Sequence, residues 1–168
     1  MPVSLTSQGV QYSNSSVRTS GKWATRAIFG YGYTTNYQSL TNLVNNYGGV
    51  ATDTTGVGTA REQLAATSYG GDKAIFGYGT TATIFAITNL VSNLGVVAGD
   101  TAGVGTARRG LAAAGYGGDK AIFGYGRDTS GSIRYSITNK VSNLGVVATD
   151  TIGIGTARQS LAGASYSS

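Results

Sequence analysis

Two charged residue types recur in this chain at one fixed spacing. Asp53, Asp100 and Asp150 each stand eight residues before an arginine: Arg61, Arg108 and Arg158. Tyr31, Tyr78 and Tyr125 recur with them, each between two glycines. A ring of carboxylates would suit a hard cation, but calcium takes about six to eight oxygen ligands. One aspartate per recurrence, among Thr and Gly, supplies too few, so no metal is expected. The spacing predicts scaffold ion pairs instead, Asp53 with Arg61, Asp100 with Arg108 and Asp150 with Arg158, or a carboxylate cap on the turn Asp-Thr-x-Gly. The tyrosines predict edge packing, or a stacking surface for the sugar rings of a glycan, because tyrosine joins an apolar face to a polar tip.

Catalysis has little to work with here. The chain has no histidine and no cysteine, which removes the commonest general base, the commonest transition-metal ligand and the thiol nucleophile. Its 7 carboxylate side chains are scattered without a paired acid and base. Gly56-Val57-Gly58 and its copies lack the Gly-Lys-Ser/Thr of a phosphate loop and read as turns. No enzyme and no cofactor are expected.

The elements that position these residues are copies of one another. Arg26-Ala27-Ile28-Phe29-Gly30-Tyr31-Gly32 returns 47 residues later at 73–79 and again at 120–126. The block at 48–61 returns at 95–108 and, 50 residues later, at 145–158. Such periods mark a stack or ring of one supersecondary unit. The repeats are expected at about 22–61, 62–108 and 109–158, with a partial one at 159–168 and a non-repeat arm at 1–21. Half of the 12 basic residues occupy repeat positions, so the net charge of +5 reads as scaffold, not as a nucleic-acid footprint. Residues 1–20 carry no apolar signal core. No apolar run approaches the roughly 20 residues of a membrane span.

Within the middle repeat, residues 64–69, 73–78, 83–91 and 96–98 read as four short strands separated by Gly- and Asn-containing turns. A helix over 60–66 is rejected, because its copy carries Gly110 and Gly115 and the segment is too short to stand alone. The fold class is all-β. Four short strands per unit of this length make one blade of a β-propeller.

Arg108-Arg109-Gly110-Leu111, followed by Tyr116-Gly117-Gly118-Asp119-Lys120-Ala121-Ile122-Phe123-Gly124-Tyr125-Gly126, resembles a kelch repeat. It departs from that family in splitting the double glycine as Gly-Tyr-Gly and in lacking the fourth-strand Trp; Trp23 lies ahead of the first repeat. The resemblance implies about three kelch-like β-propeller blades per chain. The wording Ala-Ile-Phe-Gly-Tyr-Gly and Thr-Asn-Leu-Val-Ser-Asn-Leu-Gly-Val-Val-Ala also resembles tandem repeats of bacteriophage virion proteins from viruses of aquatic bacteria. That implies a virion structural protein of the capsid surface, neck or tail, assembled in the host cytoplasm. Its partners would be other virion proteins and a host surface glycan. A carbohydrate-binding propeller and a cellular kelch-type interaction module are the alternatives.

Three blades are fewer than the roughly four to eight of a closed ring, and open edges invite aggregation. A homo-oligomer is therefore expected, in which the C-terminal strand completes a blade of a second chain and two chains close the ring. Where the repeats disagree, contact loops are expected: Tyr33, Asn36 and Tyr37 in the first repeat, and Arg127, Asp128, Arg134 and Tyr135 in the longer third one.

Overall fold

The computed structural model describes residues 25–166; the arm expected at 1–21, and Trp23, lie outside them. Among the described residues there are eight strands and no helix. They are β1 (Ala27–Tyr33), β2 (Tyr37–Val44), β3 (Ala65–Tyr69), β4 (Lys73–Gly77), β5 (Thr88–Val91), β6 (Ala112–Tyr116), β7 (Lys120–Gly124) and β8 (Thr138–Val141). All pairings are antiparallel, and the sheets are β1-β2, β3-β4-β5 and β6-β7-β8.

The fourth segment of each repeat joins its sheet by two isolated bridges. Val50 and Thr54 lie on β2, Val97 and Thr101 on β5, Val147 and Thr151 on β8. The third strand of the middle repeat was expected over 83–91, but only Thr88–Val91 is regular. Ile84 instead bridges to Thr80, so the chain turns before it enters the sheet.

Turn chemistry sets the register. Gly70 and Gly71 both have positive φ in the loop from β3 to β4, which glycine adopts without a Cβ penalty. The Ser92 hydroxyl accepts from the Leu94 and Val96 amides in the tip after β5, and Ser142 repeats this after β8.

Successive side chains of a strand face opposite ways, and here the two faces meet two different neighbours. In β4 the Phe76 side packs towards the first sheet, with Val91, Ile28 and Tyr31. The Ile75 side packs towards the third sheet, with Tyr78, Leu111, Ala121 and Phe123. Among the described residues the middle sheet is thus covered on both faces and the outer two on one each. Phe76 and Phe123 are buried, but their first-repeat copy Phe29 is 62% exposed.

Residues 159–166 were expected as a lone first strand. They form no ladder with any of the described residues. They still lie where β3 and β6 lie in their own repeats: Ser160 N–H donates to the Gly110 carbonyl at 2.7 Å, and the Ser165 hydroxyl accepts from Gly115 N–H at 3.0 Å.

Candidate functional site

The polar chemistry of the chain gathers at the seams between successive sheets. Arg61 ends the first repeat and is wholly buried. Its Nε donates to the Tyr78 carbonyl at 2.7 Å, Nη1 to the Thr59 carbonyl at 2.9 Å and Nη2 to Asn89 Oδ1 at 2.8 Å. The guanidinium lies over the Tyr31 ring, 4.5 Å from its centroid. Arg108 repeats the arrangement with Tyr125, Thr106 and Asn139, 4.3 Å over Tyr78. Each arginine therefore rests on the tyrosine of its own repeat and binds the tyrosine carbonyl of the next.

That carbonyl is aimed by strain. Tyr31, Tyr78 and Tyr125 have φ of 64° to 65°, a region L side chains rarely enter. The cost, of order 1–3 kcal/mol each, is offset at Tyr78 and Tyr125 by the hydrogen bond from arginine and at Tyr31 and Tyr78 by the ring packing. Each ring is also fixed at its tip, Tyr31 to the Val57 carbonyl and Tyr78 to the Val104 carbonyl, both at 3.1 Å.

The aspartates do not pair within their repeats as the eight-residue spacing predicts. Asp100 reaches back across the seam. It accepts from Thr59 N–H at 3.0 Å, from Thr59 Oγ1 at 2.6 Å and from Asn89 Nδ2 at 2.9 Å. Its approach to an arginine is to Arg61 of the preceding repeat, at 4.0 Å, not to Arg108. Asp150 does the same with Thr106 and Asn139. Asp53 accepts from Asn42 Nδ2 at 2.8 Å, while Arg158 donates to the Thr156 carbonyl and lies over Tyr125. The physical reason is the strand path: Asp100 follows a segment that borders β5, so its side chain falls beside the previous repeat's Gly-Thr-Ala-Arg.

Burial pushes the Asp100 and Asp150 carboxyls up, but hydrogen bonds from threonine and asparagine, with the nearby arginine, outweigh it and hold both below the ordinary aspartate value. Burial lowers the Arg61 and Arg108 pKa values, opposed by Tyr31 and Tyr78 and by the two aspartates. Burial likewise raises the Tyr31 and Tyr78 phenols.

The glycan-stacking expectation fails at Tyr78. Its ring is fully buried, with Arg108 over it and Phe123 edge-on at 5.2 Å. Tyr31 is likewise occupied by Arg61 and by Phe76 at 5.1 Å. Tyr125 carries Arg158 alone, at 4.2 Å.

The loops that differ between repeats make contacts of their own. Tyr33 and Tyr37 pack edge-on at 5.3 Å across the β1–β2 hairpin, with Asn36 exposed at its tip. Asp128 is half-buried and caps its own loop, accepting from Ser130 Oγ at 2.6 Å and Ile133 N–H at 3.2 Å. Arg127 bridges to Arg109 and to Arg134 through its backbone, and Tyr135 N–H donates to Gly126; of these only Arg134 is exposed.

Sequence reasoning missed Asn89, Asn139, Thr59 and Thr106. Their repetition at the same periods was a signal, since Asn42 and Thr156 complete both series. Among the described residues no group of three or more His, Cys, Asp or Glu is placed to hold a metal ion. Fold and seam together define the class: an all-β tandem-repeat protein whose sheets are riveted by Tyr-Arg-Asn seams. The chain matches no protein-family model, and no curated protein matches it.

Proposed function

We propose that the sheets are kelch-like propeller blades and that the chain is a non-enzymatic structural protein, a component of a bacteriophage particle that acts through assembly. One observation carries the assembly reading: among the described residues the seam is built twice and left half-built at Phe29 and at Arg158. Phe29 stands 62% exposed where its copies are buried, and Arg158 is exposed where its copies are wholly covered. Arg61, Asn89 and Asp100, and Arg108, Asn139 and Asp150, are engaged in joining sheets, which supports a scaffold over a catalyst. Placement in a virion rests on the likeness of the repeats to phage virion proteins.

Quantitative mass spectrometry of gradient-purified particles of the phage encoding the chain tests this. The protein is expected at a copy number comparable to the other particle proteins. Abundance in infected cells with absence from purified particles would overturn the reading.

A further inference from the structure

We propose that a second copy of this chain completes each open end, so that two chains dock head to tail and close one six-bladed ring. This rests on reading the sheets as blades, and it deepens that reading by naming the partner.

The two ends are the unmated halves of one seam. Inside the chain, Phe76 covers Gly30 and the edge of Tyr31, and Phe123 covers Gly77 and the edge of Tyr78. At the C-terminal end Gly124 and Tyr125 have no such phenylalanine: a Cβ on Gly124 would meet only the Thr138 methyl, at 3.3 Å. At the N-terminal end the matching Phe29 covers no such glycine among the described residues. Polar groups follow the same order. Arg158 rests on Tyr125 but, among the described residues, lacks the tyrosine carbonyl and asparagine that Arg61 and Arg108 bind. Asn42 holds Ala51 and Asp53 as Asn89 holds Ala98 and Asp100, but no arginine among the described residues lies on its oxygen. Docked, Phe29 of one copy covers Gly124 of the other, Arg158 reaches Asn42 and the Tyr31 carbonyl, and Thr156 caps Asp53.

A groove supplies a second, independent observation. A cavity of about 1070 Å³ lies between β1 and β3, lined by Ala27, Ile28, Ala66, Thr67 and Ser68 among others. It is the place a first strand of the first sheet would take, since β3 and β6 lie side by side in the other two. The strand that fits is at the other end of the chain. Ala65-Ala66-Thr67-Ser68-Tyr69 and Ala112-Ala113-Ala114-Gly115-Tyr116 have their copy in Ala162-Gly163-Ala164-Ser165-Tyr166. The corresponding positions ahead of β1 read Arg18-Thr19-Ser20-Gly21-Lys22, which would set charge where Ala65 and Tyr69 are buried. By the register of β3 on β4, Ala162 pairs with Gly30 of the second copy and Ala164 with Ile28.

The ring size follows from blade number. Propellers have about four to eight blades; two copies give six and three give nine. A head-to-tail contact that closes makes a ring without free edges. The mate departs from the internal seams at the outer rim, where Lys140 replaces the Leu43 and Leu90 of the other repeats. Its stem can lie on apolar surface with the ammonium in water.

Sedimentation velocity and native mass spectrometry of the full chain test the proposal. Twice the chain mass is expected. Phe29→Asp removes the plug and Gly124→Ala fills its socket. Each alone should raise the dissociation constant at least about thirtyfold, the loss of a central interface anchor, with circular dichroism unchanged. An equimolar mixture of the two variants regains a dimer, joined through the one intact pair of ends. A wild-type monomer, dimers that survive both substitutions, or no recovery on mixing would each overturn the proposal. So would a monomer that dimerises only after removal of residues 1–24, which would place the chain's own N-terminus in the groove. These measurements use purified protein, so they fail separately from the particle assignment.

Discussion

Arg61 and Asn89 belong to different repeats, and the guanidinium Nη2 donates to the amide oxygen at 2.8 Å with both side chains fully buried. The nearest carboxylate, Asp100, is 4.0 Å away. The buried charge is therefore met chiefly by oriented dipoles: two carbonyls, one amide oxygen and the face of Tyr31. Arginine suits this place because its fork of donors is planar and fixed. The seam is specified by direction, which a hydrophobic contact alone would not give.

Removing the fork should therefore unfold the chain from the inside. Arg108→Ala leaves the Tyr125 carbonyl and Asn139 Oδ1 without their donor in a buried site. The expected loss is about 3–5 kcal/mol, the scale for stranding one side of a buried charged network. Arg108→Lys should recover less than half of it, because an ammonium cannot reach three acceptors and cover the ring. Urea unfolding followed by circular dichroism checks both; a loss under about 1 kcal/mol would mean that water replaces the guanidinium freely.

Gly77 and Phe123 form the apolar half of the same seam. A Cβ on Gly77 would stand 2.6 Å from Phe123 Cζ. Gly77→Ala should cost about 1–3 kcal/mol, as overpacking does. Phe123→Leu in the same chain should restore part of that loss, since the smaller side chain vacates the ring's place. A double-mutant cycle with no coupling would show that the sheets shift apart without strain.

Much of this architecture is legible in the repeat. Gly70-Gly71-Asp72 and Ser92-Asn93-Leu94-Gly95 announce the turns, and Lys73–Gly77 is a strand in the structure as in the pattern. The seam was harder to read, because it pairs residues from neighbouring repeats while sequence spacing draws the eye to neighbours within one. Asp53 and Arg61 are eight apart in every copy, yet the carboxylate near Arg61 is Asp100, 39 residues on. The tyrosines read as edge packing or as a stacking surface for sugar rings, and neither reading includes the arginine. Positive φ turns Tyr78 beneath Arg108, which comes from its own repeat's far end.

Acid should loosen the seams. Asp100 and Asp150 have folded pKa values below the ordinary aspartate value, because hydrogen bonds from Thr and Asn outweigh burial. Their contribution is fully present above the unfolded value of about 3.9 and is lost as pH falls through the lower folded values. Stability should hold between pH 7 and 5 and fall below about pH 4. Replacing both with asparagine should flatten that limb in urea midpoints taken across the range. An unchanged acid limb in the double variant would assign it to other carboxylates.

Asn139→Asp should reverse the sign of that dependence. Asn139 Nδ2 donates to the Ala148 carbonyl at 3.0 Å and to Asp150 Oδ1 at 2.9 Å, while its oxygen accepts from Arg108. A carboxylate there strengthens the contact to Arg108 but turns two donated bonds into oxygen–oxygen repulsion. The expected cost at neutral pH is about 2–4 kcal/mol, two stranded acceptors less the gain at arginine. Two carboxylates in contact share a proton, so the folded pair binds it more tightly than the unfolded chain does. A raised folded pKa makes stability rise as pH falls towards it. The deficit against the parent chain should therefore shrink between pH 7 and pH 5. If urea midpoints show it constant or growing, the asparagine is not acting as the donor that holds Asp150 across the seam.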